Sequence, residues 1–191
     1  MIHNNLPAII AIVGMVIVIF IFSSIWANNF RKVGPNRVLF VSGRLIRLPD
    51  GTVRGFRIVK GGGTFVIPVF ETTDELSLEV FSIEMPKCKA TTAQGTRLEA
   101  DCRAQIKIKS DDASLVAAAE HFLSKNEAQI KEIVRPVLES HLSSILGNFS
   151  TEEIDRDPEA CAARMQSAAT PELANMGLAL VSFTILNIVR K

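Results

Sequence analysis

The N-terminal residues form one uninterrupted apolar block. Residues 1–30 contain no Lys, Arg, Asp or Glu, and the stretch from Leu6 to Trp26 is almost entirely hydrophobic. A helix formed by this stretch would have no polar face, whereas a helix that covers a soluble core has one. It would be roughly 30 Å long, which matches the hydrocarbon core of a bilayer. The pattern therefore predicts a transmembrane helix, with residues 1–29 as an N-terminal membrane anchor.

A cleaved signal peptide is the competing interpretation of this block. Signal peptides have a basic start, an apolar stretch of about 7–15 residues and a small-residue cleavage site. Here nothing basic precedes Leu6, the apolar stretch is longer, and residues 23–27 offer only a poor cleavage site. The first basic residues, Arg31 and Lys32, follow the stretch. The positive-inside rule therefore predicts a single-pass protein of the cell membrane whose C-terminal side is cytoplasmic.

Period-two alternation predicts strands in the first half of the remaining chain. From Thr96 to Ile108, apolar residues occupy every second position and polar or charged residues occupy the others. Such a long alternation indicates a strand with one buried and one solvated face, as in an antiparallel sheet. Shorter β-rich segments predict further strands at 38–41, 56–59, 64–69 and 75–85, with a turn at 49–51 and a hairpin turn at 60–63.

Helical periodicity dominates the second half. Apolar residues recur at i, i+3, i+4 and i+7 between Ile130 and Leu146, which predicts an amphipathic helix kinked at Pro136. A last strand is predicted at 178–188, so the whole is an α+β fold with a mostly antiparallel sheet and a closing C-terminal strand. An N-cap at 110–112 predicts the start of a helix that runs to about 123, and Gly147 is predicted as the C-cap of the amphipathic helix. A capping box at 150–153 predicts the start of a short helix. Pro158 is predicted at the start of a last helix, which ends near Gly177.

Charge is distributed unevenly along a chain whose formal net charge is only +1. Between Arg31 and Lys60 there are eight Lys or Arg residues and one acidic residue, Asp50. The cytoplasmic leaflet is negative, and each nearby Lys or Arg contributes about 1 kcal/mol of binding. Two interpretations stay open: a membrane-contacting surface, and ordinary solvated charges on strands and turns. The first predicts contact with anionic lipid through Arg31, Lys32, Arg37, Arg44, Arg47 and Arg54.

Residues suited to catalysis or metal binding are sparse. The cysteines at 88, 102 and 161 are odd in number and widely spaced, as is typical of reduced thiols packed in a core. The histidines at 121 and 141 lie on different predicted helices, and the glycine run lacks the GK[ST] ending of a phosphate loop. With no Tyr and one Trp, the chain has few platforms on which bases could stack. We therefore expect no catalytic residues, metal, cofactor or nucleic-acid partner.

Five segments of the chain resemble flotillin, in the same order and at similar spacing. Together they cover nearly everything after the predicted anchor, and the glycine-rich second segment is the most specific of them. The segments are FRKVGPNRVLFVSGR (30–44), GFRIVKGGGTFVIPVFE (55–71), AQIKIKSDDASLVAAAEHFL (104–123), ILGNFSTEEIDRDPEA (145–160) and MGLALVSFTI (176–185).

This resemblance implies an SPFH (prohibitin-homology) domain over residues 30–191. Flotillins are non-enzymatic scaffolds that oligomerise and organise membrane microdomains, so the resemblance implies a homo-oligomer that contacts membrane lipids and unidentified client proteins. A true transmembrane anchor is similar to the bacterial form of the family. The alternative is a regulatory subunit of the stomatin and prohibitin kind, which confines or modulates a membrane protease or channel. A membrane-tethered enzyme is a third possibility.

Assembly is where the chain departs from the family pattern. Flotillins continue into a long Ala- and Glu-rich coiled coil, whereas this chain stops at Lys191 without heptads. We therefore expect a fragment or a minimal variant that is monomeric or loosely oligomeric by itself. Subunit contacts are predicted at the terminal strand and at the glycine-rich hairpin of Gly61, Gly62 and Gly63, because an open strand edge presents unpaired backbone groups.

Overall fold

We describe the chain from a computed structural model that covers residues 6–47, 51, 53–92 and 94–190. Side chains are described for these residues except 6–10, 25, 28, 44, 46, 151, 152, 155 and 190. The chain divides into two compact units, Met1–Glu75 and Leu76–Lys191. Its elements in order are α1 (Leu6–Asn28), β1 (Phe30–Arg47), β2 (Val53–Phe65), β3 (Thr72–Ser77), β4 (Phe81–Thr91), β5 (Arg97–Ile108), α2 (Asp112–Phe122), α3 (Glu127–Gly147), α4 (Thr151–Arg156), α5 (Pro158–Asn175) and β6 (Leu178–Arg190).

The N-terminal unit begins with the apolar helix α1. This helix is 23 residues long and has no acidic residue in its first turn and no basic residue in its last. The described large apolar side chains between Ile12 and Trp26 are each more than half exposed. Among the described residues, no helix combines the length and the hydropathy that a membrane crossing needs.

A three-stranded sheet in the order β2-β1-β3 forms the rest of this unit. β1 and β2 are antiparallel and pair from Phe30↔Phe65 to Arg47↔Val53, with register shifts where the ladder is irregular. Because β1 is the central strand, its middle is the most deeply buried part. A small core forms around it from Val33, Leu39, Val41 and Val66, with Val59 packed against them.

The predicted hairpin turn at 60–63 is wrong. Gly62 and Gly63 pair with Val33 and Lys32 inside β2, so one continuous strand replaces the two that were predicted. Gly61 and Gly62 do have positive φ, 66° and 75°, but they bend the strand at an irregularity of the ladder without reversing it. A turn follows later, at residues 68–70. The predicted turn at 49–51 lies largely outside the described residues.

The C-terminal unit contains a second antiparallel sheet, in the order β4-β5-β6. The long alternating strand is confirmed as its central strand β5. All six predicted inward residues of β5 are at most 2% exposed: Leu98, Ala100, Cys102, Ala104, Ile106 and Ile108. The single strand predicted at 75–85 is instead split between β3 and β4, and Val80 is half exposed between them.

The helix starts of this unit follow the predicted caps. Asp111 caps α2 through the backbone N–H of Ser114, and Ser150 forms the predicted capping box with Glu153 at α4. Pro158 occupies the first turn of α5, where its missing N–H costs nothing.

Two predictions about α3 have different outcomes. Gly147 is the last helical residue, and Asn148, with helical backbone angles, takes the C-cap position. The prediction of Gly147 as C-cap is therefore wrong. Pro136 lies inside the helix, as predicted, and α3 continues past it on both sides.

Candidate membrane-facing site

A turn after β2 presents large apolar side chains to the outside of the N-terminal unit. Val69 is 81% exposed and Phe70 is 70% exposed. The backbone N–H groups of Phe70 and Glu71 both donate to the carbonyl of Ile67, at 3.0 and 2.8 Å, and close the turn. Large exposed apolar patches mark interaction sites. This turn is closed by its own backbone hydrogen bonds, so it presents Val69 and Phe70 in an ordered conformation.

The buried carboxylate of Glu71 holds the turn from the inside. Its side chain is only 4% exposed, and its Oε2 accepts hydrogen bonds from the Ile67 N–H at 3.0 Å and from Arg57 Nη2 at 3.2 Å. Arg57 Nη2 also donates to the Phe65 carbonyl at 2.6 Å. A buried carboxylate needs such partners, because removing one leaves an uncompensated charge. The pair therefore fixes the turn against β2.

A glycine of β1 lets the turn approach the sheet closely. Gly43 has a φ of 119°, and a Cβ at this position would collide with the carbonyl oxygen of Phe70 and press on the Cα of Glu71. Only glycine combines that backbone conformation with that contact. The turn consequently lies directly against the backbone of β1.

The end of α1 is fastened to the same region. The Val66 N–H donates to the Asn29 carbonyl at 3.0 Å, and the rings of Trp26 and Phe65 lie 5.8 Å apart. Trp26 is nevertheless mostly exposed, the arrangement that aromatic residues adopt at a membrane–water interface. The end of α1 therefore lies beside the chain segment that leads into the apolar turn, and both contribute to the exposed surface of this region.

A polar cleft of about 320 Å³ opens beside this surface. Its walls combine one cation, one carboxylate, two hydroxyls and an amide with two apolar residues. The lining residues are Asn29, Arg31, Val66, Pro68, Glu71, Thr72 and Thr73. Below, these residues are called the helix-end cleft.

Comparison with known proteins decides the family. The sequence pattern described as the SPFH domain / Band 7 family matches residues 31–190. The chain belongs to this family. It is 37% identical over 186 residues to the flotillin-like protein FloT of Bacillus subtilis (strain 168), and 35% identical over 165 residues to Flotillin-2 of Homo sapiens. The chain is a flotillin-type SPFH protein, as its segments indicated.

The two alignments cover very different shares of the proteins compared. They include 94% and 86% of this SPFH chain but only 36% and 37% of the two relatives. The chain thus spans a little over a third of the length of the curated relatives it matches. Both relatives carry flotillin names, and neither name describes an enzyme.

The basic residues predicted to contact lipid are spread along the SPFH chain's first two strands. Arg31 and Lys32 adjoin the end of α1, whereas Arg47 and Arg54 lie at the far end of the β1–β2 ladder. At about 3.3 Å per residue, Arg31 and Arg47 are up to roughly 50 Å apart, several times the screening length of physiological salt. Arg37 forms an exposed ion pair with Glu75 at 2.9 Å. The side chain of Arg44 lies outside the described residues.

The three glycines predicted at a subunit contact differ in their surroundings. The Phe30 ring covers Gly63 so closely that a Cβ there would overlap it, which gives this glycine a role inside its own chain. Nothing lies within 4 Å of a Cβ built on Gly61 or Gly62. The subunit contact stays a prediction.

The three cysteines of the C-terminal unit are buried, and His141 is paired. Burial raises the pKa of Cys88 from its ordinary value of 9.0 to about 11 and that of Cys102 to about 12, so neither is a thiolate near neutral pH. His141 pairs with Glu172 at 2.6 Å between α3 and α5. Among the described residues, no three His, Cys, Asp or Glu side chains are grouped so that they could hold a metal ion.

The sequence did not identify Glu71 or the apolar turn. Both fall in a segment that reads as a strand followed by an unremarkable acidic residue. The signal that could have found them is Pro68, which cannot donate to a ladder and so argues against a strand through 64–69.

Proposed function

We propose that this chain is the membrane-attached SPFH portion of a flotillin-type scaffold. In this proposal α1 crosses the cell membrane once, the rest of the chain lies on the cytoplasmic face, and many copies assemble side by side to organise membrane microdomains and their client proteins. The chain carries out no chemistry of its own. The names of the relatives support this assignment, and the surface of the N-terminal unit supports its attachment to a bilayer.

The observation that carries the proposal is the exposed apolar surface of α1 together with the turn at Val69 and Phe70. Soluble proteins rarely leave a contiguous apolar patch larger than a few hundred Å² facing water. Here the described large apolar side chains of a 23-residue helix are exposed. The turn of the same unit exposes two more, Val69 and Phe70. A lipid environment would remove this surface from water.

Confinement to a membrane also supports assembly. Copies held in one plane have a high local concentration, so weak lateral contacts become effective. β6 is an edge strand of its sheet, and Val181, Leu186 and Val189 on it are each about half exposed. An open strand edge with apolar side chains is suited to pairing with a neighbouring copy.

Flotation of the full chain with lipid vesicles tests the proposed attachment. We expect the unmodified chain to float with the vesicles and to resist extraction by high salt, because apolar contacts are not screened. The paired substitutions Ile17→Arg and Phe20→Arg should release most of it, since each charge at the centre of a span costs about 2.5–3.5 kcal/mol. Val181→Arg with Leu186→Arg, on exposed apolar positions of β6, is the matched control and should still float. An unmodified chain that stays in the vesicle-free fraction would overturn the proposal.

A further inference from the structure

We propose that the helix-end cleft binds the phosphoethanolamine headgroup of a phospholipid, with the phosphate at Arg31 and the ammonium at Glu71. This inference rests on the proposed membrane attachment and names a lipid that the attached unit would select. It assigns a ligand site to residues that basic charge alone does not single out.

The position of the cleft points to a lipid headgroup. Asn29, on its wall, directly follows the last residue of α1. If α1 crosses the hydrocarbon core, a cleft at its end lies at the level of the headgroups. The neighbouring Trp26, which is mostly exposed, belongs to a residue type that prefers that level.

One side of the cleft is suited to phosphate. Arg31 is exposed, and a guanidinium can bind two phosphate oxygens through two parallel N–H donors. The hydroxyls of Thr72 and Thr73 and the amide of Asn29 line the same space and can each donate a further hydrogen bond. This set of donors matches an acceptor-only group.

The other side is suited to an ammonium. Glu71 lines the cleft, and its Oε2 accepts the bonds from Ile67 and Arg57. A carboxylate has two oxygens with about four acceptor positions, so Glu71 can accept from one more donor at Oε1. A primary ammonium supplies such a donor together with an opposite charge.

The combination of charges favours a zwitterion over a purely anionic headgroup. A second anion placed against Glu71 would be repelled by a carboxylate that is held in place by its partners. The choline headgroup carries positive charge but no N–H donor, so it cannot make the hydrogen bond to Oε1. Ethanolamine satisfies both sides.

The cleft is formed before any ligand binds. Glu71 is fixed by the Ile67 N–H and Arg57. The absence of a side chain at Gly43 allows the turn to lie against β1. The bond from Val66 to Asn29 ties the two walls together. Little ordering cost therefore accompanies binding, which raises affinity for a given set of contacts.

Native mass spectrometry of the detergent-purified full chain tests the proposal. The probe is an equimolar mixture of phosphatidylethanolamine and phosphatidylcholine with the same acyl chains. We expect the singly bound ethanolamine lipid to exceed the choline lipid by roughly ten- to a hundredfold, as one charge-assisted hydrogen bond would give. The mono- and dimethylated intermediates still have an N–H donor and should keep most of the preference, which should be lost only with the third methyl group. Equal binding of all four lipids by the unmodified chain would overturn the proposal.

Substitutions then separate the two halves of the site. Glu71→Gln keeps a carbonyl oxygen for Ile67 and should abolish the preference, whereas Arg31→Gln should lower the binding of both lipids together. Glu75→Gln, outside the cleft in the same unit, and Arg97→Gln on β5 are the charge-matched controls and should change neither quantity. A thermal unfolding curve for each variant confirms that it is folded. An unchanged preference in a folded Glu71→Gln variant would show that the carboxylate is not the selecting group.

The result is separable from that of the proposed function. A chain that floats with vesicles but binds the two lipids equally keeps its attachment and loses only the cleft assignment. A chain that does not associate with vesicles at all removes the attachment, and the cleft would then have no headgroup to meet.

Discussion

Glu71 shows how one buried carboxylate shapes a surface at the scale of a single residue. Glutamate is almost never fully buried unless it is paired, and here it is paired with Arg57 and with the backbone of its own turn. Arg57 is the less buried partner, with about a third of its side chain exposed. Its Nε is buried without a hydrogen-bond partner among the described residues, whereas Nη2 donates to both Phe65 and Glu71. The geometry of the pair orients the turn that exposes Val69 and Phe70.

The buried thiols make a prediction about alkaline stability. Because the folded-state pKa values of Cys88 and Cys102 are about 11 and 12, above the ordinary 9.0, the unfolded chain loses these protons first as pH rises. Their contribution is thus fully present below about pH 9 and is lost progressively between pH 9 and 12. We expect the free energy of unfolding, measured by urea denaturation, to fall with pH across this window.

The comparison that isolates the thiols is a variant in which one of them is absent. Cys102→Ala should show a shallower fall over the same pH range, although its stability at neutral pH is lower because of the cavity. A native chain whose cysteines react with iodoacetamide at pH 8 as fast as those of the unfolded chain would contradict the burial on which this argument depends.

At the scale of elements, α3 contains a proline where an uninterrupted helix would be more stable. Pro136 is exposed on a helix whose buried face is formed by Ile130, Val134, Leu138, Leu142 and Leu146. A proline inside a helix removes one backbone hydrogen bond and crowds the preceding turn, at a cost of about 3 kcal/mol, partly offset by the stiffness it gives the unfolded chain. We expect Pro136→Ala to stabilise the chain by about 2 kcal/mol, measured by denaturant unfolding.

Pro158 provides the control, because it lies in the first turn of α5 and forfeits no helical bond. Pro158→Ala should lower the free energy of unfolding by about 0.4–1 kcal/mol, because only the stiffness of the unfolded chain is lost. If both alanine variants behave alike, the position of Pro136 within the helix has no energetic cost and the local backbone has adapted around it.

The elements also show what sequence patterns can and cannot predict here. β5 was predictable because its alternation follows directly from having one buried face, and the helix starts were predictable because Ser150 and Asp111 make local bonds to their own helices. β2 was not predictable, because glycines with positive φ occur both in turns and in irregular parts of a β-ladder. Only the pairing of Gly62 with Val33, a contact distant in sequence, distinguishes the two. The helix-end cleft depends on the same kind of distant contact, between Glu71 and Arg57.

At the scale of the whole molecule, the positive-inside rule predicts the orientation of the proposed anchor from two charges. Arg31 and Lys32 lie just after the end of α1 at Asn28, and residues 1–28 contain no Lys or Arg. A reporter fused after Lys191 should therefore be active in the cytoplasm. Exchanging the charges across the helix, by Arg31→Asn and Lys32→Asn together with Asn4→Lys and Asn5→Lys, should weaken or invert this orientation.

A pair of reporters, one active only inside the cell and one only outside, reads the orientation directly. The control for the exchange is the same number of neutralised charges placed in the C-terminal unit, for example Lys89→Asn with Arg97→Asn, which should leave the orientation unchanged. Outside activity of the unmodified chain would contradict both the orientation and the cytoplasmic assignment.

The register at the start of β1 has a mechanical consequence. Only Asn29 separates α1 from β1, and the first ladder pair is Phe30↔Phe65. A tension applied through α1 therefore reaches the β1–β2 ladder at one end, where the strands can be peeled apart one bond at a time. At that same end lie the Phe30 ring over Gly63, the Trp26–Phe65 contact and the bond from Val66 to Asn29. These contacts lie at the point where peeling would start. Tension applied through α1 therefore has to break several contacts together before the first strand pair can open.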